Sequence, residues 1–211
     1  AVVNVFTTQK TDNKPQQQLP FDNIPPQFRE FFKNFPPGFG PGQPQNPDQK
    51  REQQQALGSG FVIDPTGYNV TNHHVIANGK DISVWLFDKE DMTEYKAEII
   101  GSDELSDIAI LKIDLKDDFP YSVEWGEVPN FGDDIYVIGH PQGMIWSVSK
   151  GIVSNPDRYV STPWQRLIQS DALIMPGNSG GPLFNDEGNL VGINTLMVFS
   201  RDPEAKTQAW T

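Results

Sequence analysis

From Leu57 onward the apolar residues of this chain recur in short bursts of alternating or continuous character, each closed by Gly, Pro, Asn or Asp. That period of two, with turn signals every several residues, predicts strands rather than helices. The bursts fall at Gly60–Ile63, Tyr68–Asn72, Asp81–Phe87, Tyr95–Ile100 and Ile108–Ile113, separated by turns such as Asp64-Pro65-Thr66-Gly67. An acidic linker with Pro120 follows around Lys116–Tyr121, and then a second set at Asp134–Gly139, Ile145–Ser154, Arg166–Asp171, Pro182–Asn185 and Leu190–Val198. The branched residues of Ala1–Thr8 add a first strand. Two clusters of about six short strands predict an all-β chain of two packed antiparallel barrels, one over residues 1–115 and one over 116–211.

The pattern fails in one place. Pro15 to Gln55 carries half of the chain's 18 prolines and ten glutamines, with almost no aliphatic residue. Such a segment buries too little apolar surface to offset its ordering entropy, so residues 9–56 read as a long mobile loop inserted between the first two strands. Within it, Phe28, Phe31, Phe32 and Phe35 fall on one face of a short helix that Pro25-Pro26 would start and Pro36 would stop. That face either docks on its own domain or meets a partner or another subunit.

Composition narrows the function. The 211 residues suffice for a sizeable core. A net charge of −12 argues against nucleic acid, whose phosphates call for a basic stripe, and equally against an anionic membrane surface. With no cysteine, disulfides and thiolate metal sites are excluded. No apolar run is long enough to span a bilayer as a helix. The opening Ala1-Val2-Val3-Asn4-Val5 lacks the basic and apolar regions of a signal peptide, as in a protein without one or in a mature form.

The candidate chemistry centres on Pro176-Gly177-Asn178-Ser179-Gly180-Gly181-Pro182. Glycines on both sides of a serine allow a tight bend that aims successive N–H groups into one concavity beside the hydroxyl, although a plain hairpin loop has the same composition. A serine needs a base near neutral pH, and His73, His74 and His140 are the three available. The base needs an orienting carboxylate. Asp107 stands immediately before the apolar run Ile108–Leu111, where burial would demand a partner, though a turn aspartate is the plainer alternative. On an extended chain His73 and His74 point to opposite faces, and His74 shares its face with Val70. A dihistidine metal site lacks a third ligand, and nothing calls for a cofactor.

The order His, Asp, Ser on a double β-barrel resembles that of the chymotrypsin-like serine proteases. The segments Gly58-Ser59-Gly60, Thr71-Asn72-His73-His74-Val75, Ser106-Asp107-Ile108-Ala109, Gln169-Ser170-Asp171-Ala172 through Pro182-Leu183, and Gly192-Ile193-Asn194-Thr195 resemble more closely the HtrA/Do (Deg) family of envelope quality-control proteases. The resemblance spans nearly the whole chain. It implies a chymotrypsin-like double six-stranded β-barrel, with His74 as base, Asp107 as its orienting carboxylate and Ser179 as nucleophile. It implies an oxyanion hole from the Gly177 and Ser179 N–H groups in a turn shaped by Asn178, and a substrate-binding strand at Ile193, Asn194 and Thr195. His73 then points away and is replaceable, and His140, at a position where the family often carries Asn in a loop that switches activity, reads as a surface loop residue.

The same resemblance implies an endopeptidase that degrades unfolded polypeptides in the periplasm, cutting after small aliphatic residues. It needs no metal or cofactor, and it assembles as trimers or their multiples, with the Phe28/Phe31/Phe32/Phe35 face as the inter-subunit candidate. Family members normally continue into a last Gly-rich strand and PDZ domains, so this chain is expected to lack the final barrel strand and to carry no PDZ domain. The alternative is a holdase-like binding module whose active site rests in a disordered state.

Overall fold

Cross-strand pairing of the predicted bursts builds two β lobes, seen in a computed structural model that describes residues 1–9, 54–77, 79, 81–88, 91–141, 146–159, 166–198 and 208–210. The first lobe holds strands β1 (Val2–Gln9), β2 (Gln54–Asp64), β3 (Tyr68–Asn72), β4 (Asp81–Asp88), β5 (Asp91–Asp103) and β6 (Ile108–Ile113), with one helical turn, α1 (His73–Ile76), after β3. These six strands close into a barrel in the order β1-β2-β3-β6-β5-β4. Alternation decides what fills it: Val3, Val5, Val84, Leu86, Leu111 and Ile113 are fully buried in one cluster, and Val5 and Val84 are direct cross-strand partners. Each such side chain contributes about 1.5–3 kcal/mol by leaving water.

The second lobe holds β7 (Asp134–Gly139), β8 (Ser147–Tyr159), β9 (Arg166–Ser170), β10 (Pro182–Asn185), β11 (Leu190–Ile193), β12 (Leu196–Val198) and β13 (Gln208–Trp210). They form a seven-stranded sheet in the order β11-β10-β7-β8-β9-β13-β12, curled around Ile135, Val137, Val153, Ala172, Ile174 and Leu183 but not closed among the described residues. A third cluster of Phe61, Val70, Val123 and Leu190 joins the lobes. Phe61 and Val70 are cross-strand partners on the outer face of the barrel, which is why β3 is buried on both faces. An edge-on contact between Phe87 and Trp146, with ring centroids 4.9 Å apart, adds a second bridge.

Three details depart from the expected pattern. The linker is longer: no strand ladder forms between β6 and β7, and the segment is stitched along β11, with Leu190 N–H donating to Glu124 O at 2.7 Å and Gly126 N–H to Leu190 O at 2.8 Å. The single strand predicted over Leu190–Val198 is two, broken at Asn194-Thr195 because those residues bond elsewhere. The predicted insertion is shorter at both edges, since β1 and β2 stay paired out to Gln9 and Gln54. Phe28, Phe31, Phe32 and Phe35 lie outside the described residues. Among the described residues no helix is long and apolar enough to cross a membrane.

Candidate active site

The barrel supplies an imidazole and a carboxylate by register alone. Asn72 at the end of β3 pairs with Ile108 at the start of β6, so the residues just beyond, His73-His74 and Asp107, meet at one end of the barrel. After extended Asn72 the chain makes a single helical turn, closed by Ala77 N–H on His73 O at 2.9 Å. Asp107 takes a left-handed backbone (φ 59), strained for a residue with a side chain though better tolerated by Asp than by most. Two bonds to its carbonyl hold it there, from His73 N–H at 3.0 Å and Asn72 Nδ2 at 2.9 Å.

The Asp107 carboxylate is buried and fully used. His74 donates to it twice, from its backbone N–H to Oδ1 at 2.9 Å and from Nδ1–H to Oδ2 at 2.7 Å. The Thr195 hydroxyl donates to Oδ2 at 2.6 Å. Burial disfavours the carboxylate, but the His74 imidazole and these hydrogen bonds outweigh it, and Asp107 titrates below its ordinary value. An ionised carboxylate only accepts, so the proton of a neutral His74 ring sits on Nδ1 and the lone pair on Nε2, the arrangement of a general base.

The serine comes from the other lobe. Met175-Pro176-Gly177-Asn178 is a tight turn closed by Asn178 N–H on Met175 O at 2.9 Å, with Pro at its second position and Gly177 at φ 99 in its third, the signature of a type II turn. The next residues are pinned in alternation. Gly181 N–H donates to Asn178 O at 2.9 Å, Ser59 N–H to Ser179 O at 2.8 Å, and Gly180 N–H to Asn194 O at 2.8 Å. Gly180 has φ 83 and lies so close to the barrel that a Cβ there would stand 2.3 Å from both Ser59 O and Thr71 Oγ1, and 2.9 Å from Asn72 N. The Ser179 backbone is thereby seated against the strands that lead into His74, and Ser179 itself is buried.

Of the remaining candidates, His73 turns outward, its Nδ1 lying 3.2 Å from Ser102 Oγ. Asn194 is fully buried; its Nδ2 donates to Pro182 O at 3.1 Å and its backbone N–H to Gly181 O at 2.8 Å. With Thr195 on Asp107, the side chains of Asn194 and Thr195 face the protein interior, while Ile193 stays half-buried. His140 departs from the reading as a surface loop histidine. It is buried, and burial pushes its imidazole down to about 4. The sequence also assigned no role to Ser59, a polar residue between two glycines on β2, beyond its place in the Gly58-Ser59-Gly60 segment. Among the described residues no group of three His, Asp or Glu side chains could hold a metal ion.

Two β lobes with a buried imidazole–carboxylate pair and a glycine-flanked serine at their junction define a trypsin-like peptidase, and the chain belongs to the trypsin-like peptidase domain family, whose pattern matches residues 58–193. It is 43% identical over 206 residues to a probable periplasmic serine endoprotease DegP-like of Pseudomonas savastanoi pv. phaseolicola, and 39% identical over 205 residues to one of Hahella chejuensis. The alignments cover 95% of this chain but only 42% and 41% of those proteins, so the chain spans less than half their length. Among solved structures, an HtrA-type protease with a decapeptide is similar at 34% identity and a TM-score of 0.70, matched over 100% of this chain and 59% of that one. Another, with a tripeptide, has 29% identity and a TM-score of 0.69, with 55% of that chain covered.

Proposed function

We propose that the chain works as a serine endopeptidase of protein quality control, hydrolysing unfolded polypeptides through an acyl-enzyme on Ser179. The observation that carries this reading is the buried 2.7 Å pair of His74 and Asp107, next to the strand ends against which the Ser179 loop is packed. In this reading His74 Nε2 takes the Ser179 hydroxyl proton as Oγ bonds to the scissile carbonyl carbon. The negative charge that develops on the carbonyl oxygen is met by the N–H groups of Gly177 and Ser179. The C–N bond then breaks, the amine leaves with the proton from His74, and a water repeats the sequence to release the acid. Asp107 keeps the imidazole in the required tautomer and stabilises the cation that forms.

In this reading the substrate strand runs beside the Ile193–Thr195 segment, and small aliphatic side chains precede the cleaved bond. The relatives named periplasmic support a periplasmic site of action, and the HtrA-type neighbours solved with peptides support polypeptide substrates. Assembly into trimers or their multiples, with the Phe28/Phe31/Phe32/Phe35 face at a subunit contact, completes the reading.

An alkyl fluorophosphonate tests it. The expected result is covalent labelling of Ser179 and cleavage of a permanently unfolded polypeptide, both lost in Ser179→Ala. A folded chain that binds the polypeptide but leaves Ser179 unlabelled overturns the peptidase reading in favour of a binding module.

A further inference from the structure

Ser59 lies on β2 of the barrel, 118 residues from the serine loop in sequence, yet every polar group it has is engaged at that loop or beside it. Its N–H holds Ser179 O at 2.8 Å, and its hydroxyl donates to Gly177 O at 2.6 Å. Its own carbonyl accepts from Thr71 Oγ1 at 2.7 Å. The hydroxyl oxygen accepts from His140 N–H at 3.0 Å, and His140 Nδ1 lies 3.4 Å from it. A serine hydroxyl has one proton, and a carbonyl can only accept, so that proton is committed to Gly177. His140 N–H fills an acceptor position of the hydroxyl, and the 2.6 Å bond to Gly177 O is much shorter than the 3.4 Å approach to His140 Nδ1. Ser59 is fully buried and His140 nearly so, which keeps water from competing for either bond.

The consequence follows from peptide geometry. In a trans peptide the C=O and N–H point in opposite directions. Gly177 O is drawn towards Ser59 and the N–H of the same peptide, on Asn178, is spent on Met175 O. Asn178 O is drawn towards Gly181 N–H, which turns the Ser179 N–H the opposite way. Fixing the Gly177–Asn178 peptide also fixes the direction from which the Pro176–Gly177 peptide enters it, and with it the Gly177 N–H. We infer that Ser59, seated by His140, is a positioning residue that sets the aim of the Gly177 and Ser179 N–H groups at the reacting carbonyl oxygen. Ser59 touches neither substrate nor His74 in this role; it acts through the loop. The inference rests on the peptidase reading above and adds to it the residues that hold the oxyanion-binding turn.

The experiment compares the full chain with its Ser59→Ala and His140→Ala variants on a peptide substrate. Each is also titrated with a peptide aldehyde, whose adduct with the nucleophile carries the oxyanion, and checked for folding by denaturant unfolding. Losing an oxyanion donor outright costs about 100- to 1,000-fold in rate, and a misaimed donor should cost less, roughly 10- to 100-fold in kcat for Ser59→Ala. KM should stay within about twofold, because the ground-state carbonyl gains little from these donors, and aldehyde affinity should fall by the same factor as kcat. His140→Ala keeps the backbone N–H bond to Ser59, so the same signature should appear at roughly 3- to 10-fold. A purely structural role would instead lower the active fraction and leave kcat and aldehyde affinity per folded molecule unchanged, which overturns the inference. Should Ser59→Ala fail to fold, His140→Ala decides by the same signature. A wild-type chain that neither turns over substrate nor labels at Ser179 removes the peptidase reading itself and this inference with it, an outcome distinct from an active wild type with an unaffected Ser59→Ala.

Discussion

His74 and Asp107 come from the closed barrel, where the β3–β6 ladder sets their meeting point before any side chain acts, whereas Ser179 comes from a loop of the open sheet and is placed by single hydrogen bonds to distant segments. The barrel half has redundancy: beyond the ladder, His73 N–H and Asn72 Nδ2 both hold Asp107 O, and His74 holds the carboxylate twice. The loop half has little. Its position depends on two bonds to Ser59, two to Asn194 and one within the loop from Gly181 N–H to Asn178 O, and on the absence of a side chain at Gly180. The acid–base pair is therefore expected to be the rigid element and the nucleophile loop the adjustable one, drawn from the less stable part of the molecule.

Asp107→Asn should have the largest effect and separates chemistry from scaffold on the barrel side. Amide for carboxylate removes the acceptor that holds the proton on Nδ1, and the same exchange in a Ser-His-Asp triad of the trypsin type lowers kcat by about 10,000-fold. A loss of that order is expected here, with the ladder and the far-ultraviolet spectrum unchanged. A fall of less than tenfold would mean that His74 needs no oriented carboxylate.

Gly180→Ala attacks the loop side instead. The added Cβ would press on Ser59 O and Thr71 Oγ1 at 2.3 Å, on a backbone at φ 83 that alanine resists. The loop must move away from the barrel, and activity should drop by roughly 1,000-fold, the scale of losing an oxyanion donor. Hydrogen exchange should accelerate at the Gly180 and Gly181 amides while the amides of β3 and β6 stay protected. Equal acceleration in both regions would erase the contrast between the halves.

Thr195→Val tests the bond that runs from the loop side directly to the acid–base pair, at the Asp107 carboxylate. Loss of a hydrogen bond to a charged group costs about 1.5–3 kcal/mol where it is fully felt. Since His74 still holds both carboxylate oxygens, a roughly tenfold fall in kcat is expected, with KM little changed. Steady-state kinetics measure it.

That contrast also marks what could be read from the sequence. Strands are legible because their period is local, and Asp107 stands out because a carboxylate beside an apolar run is unusual within a few residues. Strand alternation separates His73 from His74, yet the pair begins a helical turn, in which neighbours also diverge, by about 100°. Thr195 and Ser59 are not legible in these roles, because their partners lie 88 and 118 residues away and a buried hydroxyl leaves no periodic trace. His140 beside Pro141 looks like any polar loop residue until the packing of β7 onto β2 buries it.

His140 gives the smallest and most selective test, because its burial has a consequence in pH. Its imidazole is held down to about 4 from an ordinary 6.5, so between those values the unfolded chain binds a proton that the folded chain refuses. Stability from this group is present above about pH 6.5 and is lost as pH falls towards 4, at up to about 1.4 kcal/mol per pH unit. Asp107, lowered from 3.8, runs the same way but begins to lose its contribution only below about that value, so the two windows are separate. A His140→Gln variant lacks the upper window. Urea midpoints at pH 7 and pH 5 should therefore differ more in the wild type than in the variant, and the serine loop, not the barrel, should be the first region to open on acidification. Identical pH dependence in the two proteins would show that His140 is already hydrated in the folded state, and that the loop half is less dry than its packing against Ser59 requires.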